Sequence, residues 1–212
     1  MKKSIVFIIM MGVLIAGCGE SKHNKGVYML LDTSGTYTQE LTKAKSILNY
    51  LLGTLQPGDS IAVASIDTGS FSEKDIVAKV MFDDRPSVAN NQKRAFKQKI
   101  DKFTRNVRRS KYTDISGGLL QAIEYLNEAD PGNKFILIFS DLKEDLEAGY
   151  IRDIDVELQG FEVIALNVTK LRSDNIDPRE YLGRLEEWQG RVEKTGGQWR
   201  VINDLDGLEG LL

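Results

Sequence analysis

The sequence predicts an α/β fold, a doubly wound and mostly parallel six-stranded sheet with helices on both faces. Three observations predict it. Apolar runs of strand length alternate with amphipathic stretches of helical period along most of the chain. The strongest of those runs, Val27 to Leu31 and Phe135 to Phe139, are apolar at every position, as strands must be when both sheet faces are covered. Only a short polar loop, Asp67 to Asp75, separates the run Ser60 to Ile66 from the run Ile76 to Phe82, too little for a crossover helix, so those two strands pair as an antiparallel hairpin.

Each element follows in turn. Val27 to Leu31 is the first strand. Leu41, Ala44, Leu48, Leu51, Leu52 and Leu55 recur at helical spacing, and Pro57-Gly58 ends that helix. The hairpin of the second and third strands comes next and leaves the third at a sheet edge. Pro86 opens a helix to about Val107 whose core face carries Phe96, Ile100, Phe103 and Val107. Its other face is basic, with Lys93, Arg94, Lys97, Lys99, Lys102 and Arg105, followed by Arg108 and Arg109; contact with anionic lipid head groups is one reading, and given the apolar face the simpler one is a solvated side. Leu119, Ile123 and Leu126 mark a helix stopped by Asp130-Pro131-Gly132-Asn133 before the fourth strand, Phe135 to Phe139. A further helix is expected over roughly Glu147 to Leu158, and Phe161 to Val168 is the fifth strand. Asp177-Pro178-Arg179-Glu180 opens the last helix with a cap, a proline and an acid, and Tyr181, Leu185, Trp188 and Val192 face its core. Gly196-Gly197 ends it, and Gln198 to Ile202 is a sixth strand before an acidic, glycine-bearing tail. The expected strand order is 3-2-1-4-5-6, with strand 3 antiparallel at the edge.

The first residues read as an address rather than as structure. Lys2 and Lys3 precede a twelve-residue apolar run, Ile5 to Ala16, short of the ~20 residues that span a bilayer. Leu14-Ile15-Ala16-Gly17-Cys18 resembles the lipobox of bacterial lipoproteins, in which the signal is cut before a cysteine that carries lipid. The resemblance implies a signal peptide over 1–17, a lipidated Cys18 with a polar tether to residue 25, one domain over 26–212, and an extracytoplasmic place in a bacterial cell envelope, on the periplasmic side of a membrane in a Gram-negative source. Cys18 is the only cysteine, so no internal disulfide is possible. Loss of the two lysines of the signal leaves 26 bases against 31 acids, and nothing in that balance points to nucleic acid. The single histidine, His23, lies in the tether, so no His-based catalytic set can form.

The chemistry concentrates at two strand ends. Ligands of doubly wound sheets bind beyond the carboxyl ends of the strands, where successive connections diverge. Asp32 directly follows the first strand, and Asp141 follows the fourth after Ser140; if the fourth strand lies beside the first, the two carboxylates meet. In Asp32-Thr33-Ser34-Gly35-Thr36 a carboxylate and two hydroxyls alternate, an arrangement that aims three oxygens at one point. Oxygen donors of this kind suit hard divalent cations. Each piece also has a plainer reading: Thr36 to Gln39 fits a capping box, Ser34 a turn, and Thr113 or Asp114 a helix cap.

The strand followed by Asp-x-Ser-x-Thr resembles the first motif of von Willebrand factor A domains, whose metal ion-dependent adhesion site uses Asp-x-Ser-x-Ser/Thr. Thr113-Asp114-Ile115 before Leu119-Leu120 matches the family's second element, and Phe139-Ser140-Asp141 matches its third. The likeness spans roughly Gly26 to Ile202. It implies one bound Mg²⁺ (or Mn²⁺ or Ca²⁺) held by Asp32, Ser34, Thr36, Thr113 and Asp141, a non-enzymatic role, and a protein partner that offers a carboxylate to the ion. Asp67, Asp114 and Tyr112 are candidates for an outer shell or the rim. Two departures stand out. Arg108 to Tyr112 fills a place where the family often has glycines, and Leu142 follows the third aspartate where glycine is common.

Two other classes fit part of the pattern. Haloacid dehalogenase-like phosphatases also begin with an apolar strand ending in Asp-x-Asp-x-Thr, with Asp32 then the nucleophile; Ser34 stands where that family keeps its general acid, and a serine cannot supply a carboxyl proton. A scaffold with a non-functional metal site is the third reading. The loop after the first strand has neither phosphate-cradling glycine motif, which sets nucleotide binding aside.

Overall fold

The computed structural model describes residues 22–34, 37, 40–66, 72–107, 110–146, 149, 156–171 and 173–212, the side chains of 205–207 excepted. Six strands, β1 (Lys25–Asp32), β2 (Ser60–Ile66), β3 (Ile76–Met81), β4 (Asn133–Phe139), β5 (Phe161–Leu166) and β6 (Gln198–Ile202), form one sheet in the order 3-2-1-4-5-6. All neighbours are parallel except β2 and β3, which pair antiparallel with a register shift at Val63/Ala64. The hairpin and the edge position of β3 are thus as the short 67–75 loop predicts.

Among the described residues four α-helices cover the sheet: α1 (Leu41–Thr54), α2 (Pro86–Asn106), α3 (Ile115–Ala129) and α4 (Pro178–Lys194). Alternate residues of each central strand feed two cores, because successive strand side chains point to opposite faces. Val27, Met29 and Leu31 of β1 meet Leu48 and Leu51 of α1 and Phe96 and Ile100 of α2 on one face. Tyr28 and Leu30 meet Leu119 and Leu126 of α3 on the other, where Trp188 and Val192 of α4 also lie. The approach of α3 needs glycine: a Cβ at Gly118 would stand 2.6 Å from the Ile66 side chain.

The sequence reading needs correction in two places. The C-terminal tail is structured: a 3₁₀ helix, Leu205–Gly210, seats Leu208 and Leu211 in the α1 face of the core. The helix expected over Glu147 to Leu158 does not include residues 156–158, which are irregular; residues 147, 148 and 150–155 lie outside the described set. Residues 1–21, with the expected signal and Cys18, lie outside it too, and among the described residues no helix is long and apolar enough to cross a membrane.

Candidate functional site

Parallel pairing of β1 with β4 sets Leu31 opposite Phe139, so the next residues, Asp32 and Ser140, leave the sheet side by side. Asp32 has no solvent exposure. Its Oδ1 accepts the backbone N–H of Ser34 at 2.7 Å, and its Oδ2 accepts the Ser140 hydroxyl at 2.7 Å. The hydroxyls of Ser34 and Thr113 also hydrogen-bond this carboxylate. Burial pushes the Asp32 carboxyl above its ordinary range, and those hydrogen bonds, all from neutral donors, pull against it.

Backbone bonds bring Thr113 in from a loop eighty residues on. Ser110 N–H donates to Thr33 C=O at 2.9 Å and extends β1 by one parallel bridge, Ser34 to Ser110. Thr113 and Asp145 exchange both backbone bonds, at 2.8 and 2.9 Å. The loop before α3 is therefore stitched to the loops after β1 and after β4, despite the Arg-Arg-Ser-Lys-Tyr stretch that replaces the glycines of the resemblance.

Asp141 is 4% exposed, and its Oδ1 accepts the N–H of Lys143 at 2.9 Å. Burial is the main cause that pushes its carboxyl up to about 6; the Lys143 amide opposes this, the Asp32 charge adds to it, and Arg184 and Lys143 reduce it. Two buried acids of like charge thus stand near each other where β1 and β4 end. Leu142, next in line, has φ +64°, a left-handed backbone that glycine ordinarily takes. The conformation is held from both sides: Leu142 N–H donates to Ser140 Oγ at 3.1 Å, and Leu142 C=O accepts Trp188 Nε1 at 3.1 Å. That explains how the chain manages without the expected glycine.

A second ring of groups supports the first. Tyr37 is buried against Phe139 in an edge-to-face contact at 5.1 Å, and its hydroxyl donates to Asn167 C=O and accepts from Asn167 Nδ2. Burial pushes the Tyr37 hydroxyl well above its usual range, with the charges of Asp141 and Asp32 adding to the effect, which places the ring beside both acids. Arg184 of α4 donates from Nε to Asp141 C=O at 3.2 Å and forms a two-pronged ion pair with buried Asp174 at 2.9 and 2.7 Å. A cleft of about 420 Å³ runs beside this arrangement, between the loop after β4 and α4, with Lys143, Arg184 and Trp188 among its walls.

Of the residues singled out from sequence, the structure brings Asp32, Ser34, Thr113 and Asp141 to one end of the sheet. Thr36 and Asp67 lie outside the described residues. Asp114 is wholly buried, and its carboxylate caps α3 by accepting Gly117 N–H at 2.6 Å, so it is not part of any rim. Tyr112 is half-buried, its amide bonded to Ser110 Oγ at 3.0 Å. Sequence reasoning passed over Ser140 as a spacer, although a hydroxyl beside the strand-end acid is itself a signal, and it missed Tyr37, Asn167 and Arg184.

The donor set suits a hard cation in kind: Asp32, Ser34, Thr113, Ser140 and Asp141 offer only oxygen, and the groups bonded to Asp32 are neutral. Among the described residues no three His, Cys, Asp or Glu side chains gather on one point, so an ion here would depend on hydroxyls and water for the rest of its shell.

No protein-family model matches the chain, and no curated protein does. Solved structures are similar to it in fold. A von Willebrand factor type A protein from Catenulispora acidiphila aligns over 88% of this chain at TM-score 0.51 and 16% identity; the aligned part is 40% of that structure, so this chain spans less than half its length. The pilus adhesin SpaC from Lactobacillus rhamnosus GG, in its open conformation, aligns over 91% of this chain and 29% of its own at TM-score 0.53 and 14% identity. BatB, a conserved hypothetical protein from Bacteroides thetaiotaomicron, aligns over 89% and 95% of the two chains at TM-score 0.50 and 11% identity. With the strand order and hairpin described above, these likenesses give the chain a von Willebrand factor A-like fold.

Proposed function

We propose that this chain is a divalent-cation-dependent protein-binding module, not an enzyme, held at a bacterial cell envelope through lipid on Cys18. The observation that carries the reading is the meeting of Asp32 and Asp141, buried acids from separate strands, with hydroxyls delivered by three loops. Two nearby buried carboxylates with no cation between them repel each other, and a divalent ion reverses the sign of that interaction. Asp32, Ser34, Thr36 and Thr113 would hold Mg²⁺ directly or nearly so, and Asp141 directly or through water. When bound, the ion would supply a positive centre that one acidic side chain of a partner completes, because hydroxyl ligands do not neutralise it. Ser140 fixes the rotamer of Asp32, and the Asp145 bridge fixes Thr113, so the ligands are positioned before the ion arrives. That the structural neighbours include a pilus adhesin supports an interaction module.

Calorimetry with Mg²⁺ or Mn²⁺ on the wild-type protein and on Asp32→Ala tests the site, and a pull-down repeated with cation and with chelator tests the function. A single-site isotherm lost in the variant, and a partner released by chelator, are expected. Cation binding unchanged in Asp32→Ala would falsify the reading. The anchor is tested by mass spectrometry of the mature protein from its host, which should show a diacylglyceryl-modified Cys18.

A further inference from the structure

We propose that the outward face of α2 is a contact surface for anionic phospholipid, on which Arg94, Lys99, Lys102 and Arg105 rest against headgroups while the domain lies on its side. The helix carries six bases and one acid in a chain whose acids outnumber its bases. A helix that is merely solvated looks different: α4, on the opposite sheet face, mixes four bases with four acids. The lone acid of α2, Asp101, is already taken by Lys45 at 2.8 Å and Lys97 at 3.7 Å, and Lys93 turns inward to the Leu55 carbonyl. Arg94, Lys99, Lys102 and Arg105 are exposed and make no ion pair among the described residues; Arg94 bonds only the Asn90 carbonyl, at 3.3 Å. At 100° per residue, Arg94, Gln98, Lys102 and Arg105 project opposite buried Phe96 and Ile100, with Lys99 flanking them. The result is a basic stripe along a helix about 31 Å long.

The place where the tether enters gives this stripe its partner. Asn24 lines the same open cleft as Phe82, Arg85 and Gln92, and Lys22 pairs with Asp130 at the end of α3, so the chain enters β1 at the amino ends of the strands, between the two helical layers. Four residue steps separate Cys18 from Lys22, a reach of at most about 14 Å. A domain so tethered can lower α2 onto the surface that holds its lipid, and clustered Lys and Arg near an anionic leaflet are attracted to it within a Debye length. The candidate metal site, at the carboxyl ends of the strands, then faces along the membrane. The choice of surface rests on the envelope part of the proposed function and not on its metal site.

Lysine footprinting on the full chain tests this. The protein is reconstituted with vesicles of phosphatidylcholine alone or of phosphatidylcholine with phosphatidylglycerol, and acetylation of each lysine is followed by mass spectrometry. Lys99 and Lys102 should react about fivefold more slowly on the anionic vesicles than on the neutral ones, with reactivity restored by salt, while Lys194 of α4 stays unchanged. Equal reactivity of Lys99 and Lys102 on the two vesicle types would overturn the proposal, as would equal protection by inorganic phosphate or heparin without vesicles. A chain that fails to hold neutral vesicles but shows the anionic protection would sink the anchor and leave the stripe standing.

Discussion

The two ends of the sheet each bury an aspartate, and they treat it in opposite ways. At the amino ends of the strands, Asp59 accepts Lys25 N–H and Gln56 N–H, both at 2.7 Å, one on each oxygen. The turn there is made by Gly58 at φ +84°, a residue that takes the left-handed backbone freely. At the carboxyl ends, Asp32 is joined by Asp141, the left-handed backbone is imposed on Leu142 and Asn167, and the buried Thr33 hydroxyl has no hydrogen-bond partner among the described residues. The amino ends also carry a left-handed residue other than glycine, Asp130, so what sets the carboxyl ends apart is the two like charges kept together, an arrangement found at sites kept for a ligand.

Substitutions can break this contrast. The largest effect is expected at the buried ion pair of Arg184 and Asp174. Arg184→Met leaves Asp174 buried without its cation and should cost about 3–5 kcal/mol in urea unfolding. Arg184 holds the Asp174 carboxyl below its ordinary range, so the wild-type pair stabilises the fold above about pH 4, and that contribution fades as pH falls through the lowered value. The variant should lack this acid-dependent loss.

Next comes one change made at both ends. Asp59→Asn can satisfy only one of its two backbone N–H donors and should destabilise by about 1–3 kcal/mol. Asp32→Asn removes a charge from beside Asp141 and should be neutral or stabilising by about 1 kcal/mol in chelator, since Ser140 can turn its hydroxyl. Equal losses at the two positions would contradict the view that Asp32 is held for an ion and not for the fold. The smallest effect is at Leu142, where both Leu142→Ala and Leu142→Gly lose a buried side chain. Relief of the left-handed backbone should nonetheless make the glycine variant the more stable by roughly 1 kcal/mol, the reverse of the usual order.

How much of this was readable in advance follows from how far apart the cooperating residues lie. Val27 to Leu31 and Phe135 to Phe139 announce buried parallel strands because covering both faces leaves no room for polar alternation. The short 67–75 loop specifies the hairpin by length alone. Asp32 and Asp141 were visible as acids at strand ends, and Thr113 as a hydroxyl before a helix. Tyr37 and Asn167 were not, because their link joins loops 130 residues apart and neither has a local pattern to show it. The buried tail was legible and was overlooked: Leu205, Leu208 and Leu211 repeat every third residue, the period of a 3₁₀ helix, among glycines and acids that suggest a solvated end. Leu142 is the opposite case: a family habit drew attention to it, but the two hydrogen bonds that hold its left-handed backbone come from Ser140 and the distant Trp188, which no local pattern announces.

Crystals of the protein soaked in Mn²⁺ and measured at the manganese absorption edge put the account to its most direct trial. One anomalous peak among the oxygens of Asp32, Ser34 and Thr113, absent from Asp32→Asn crystals soaked alike, is the predicted result. Density that avoids this pocket, or that persists in the variant, would contradict it.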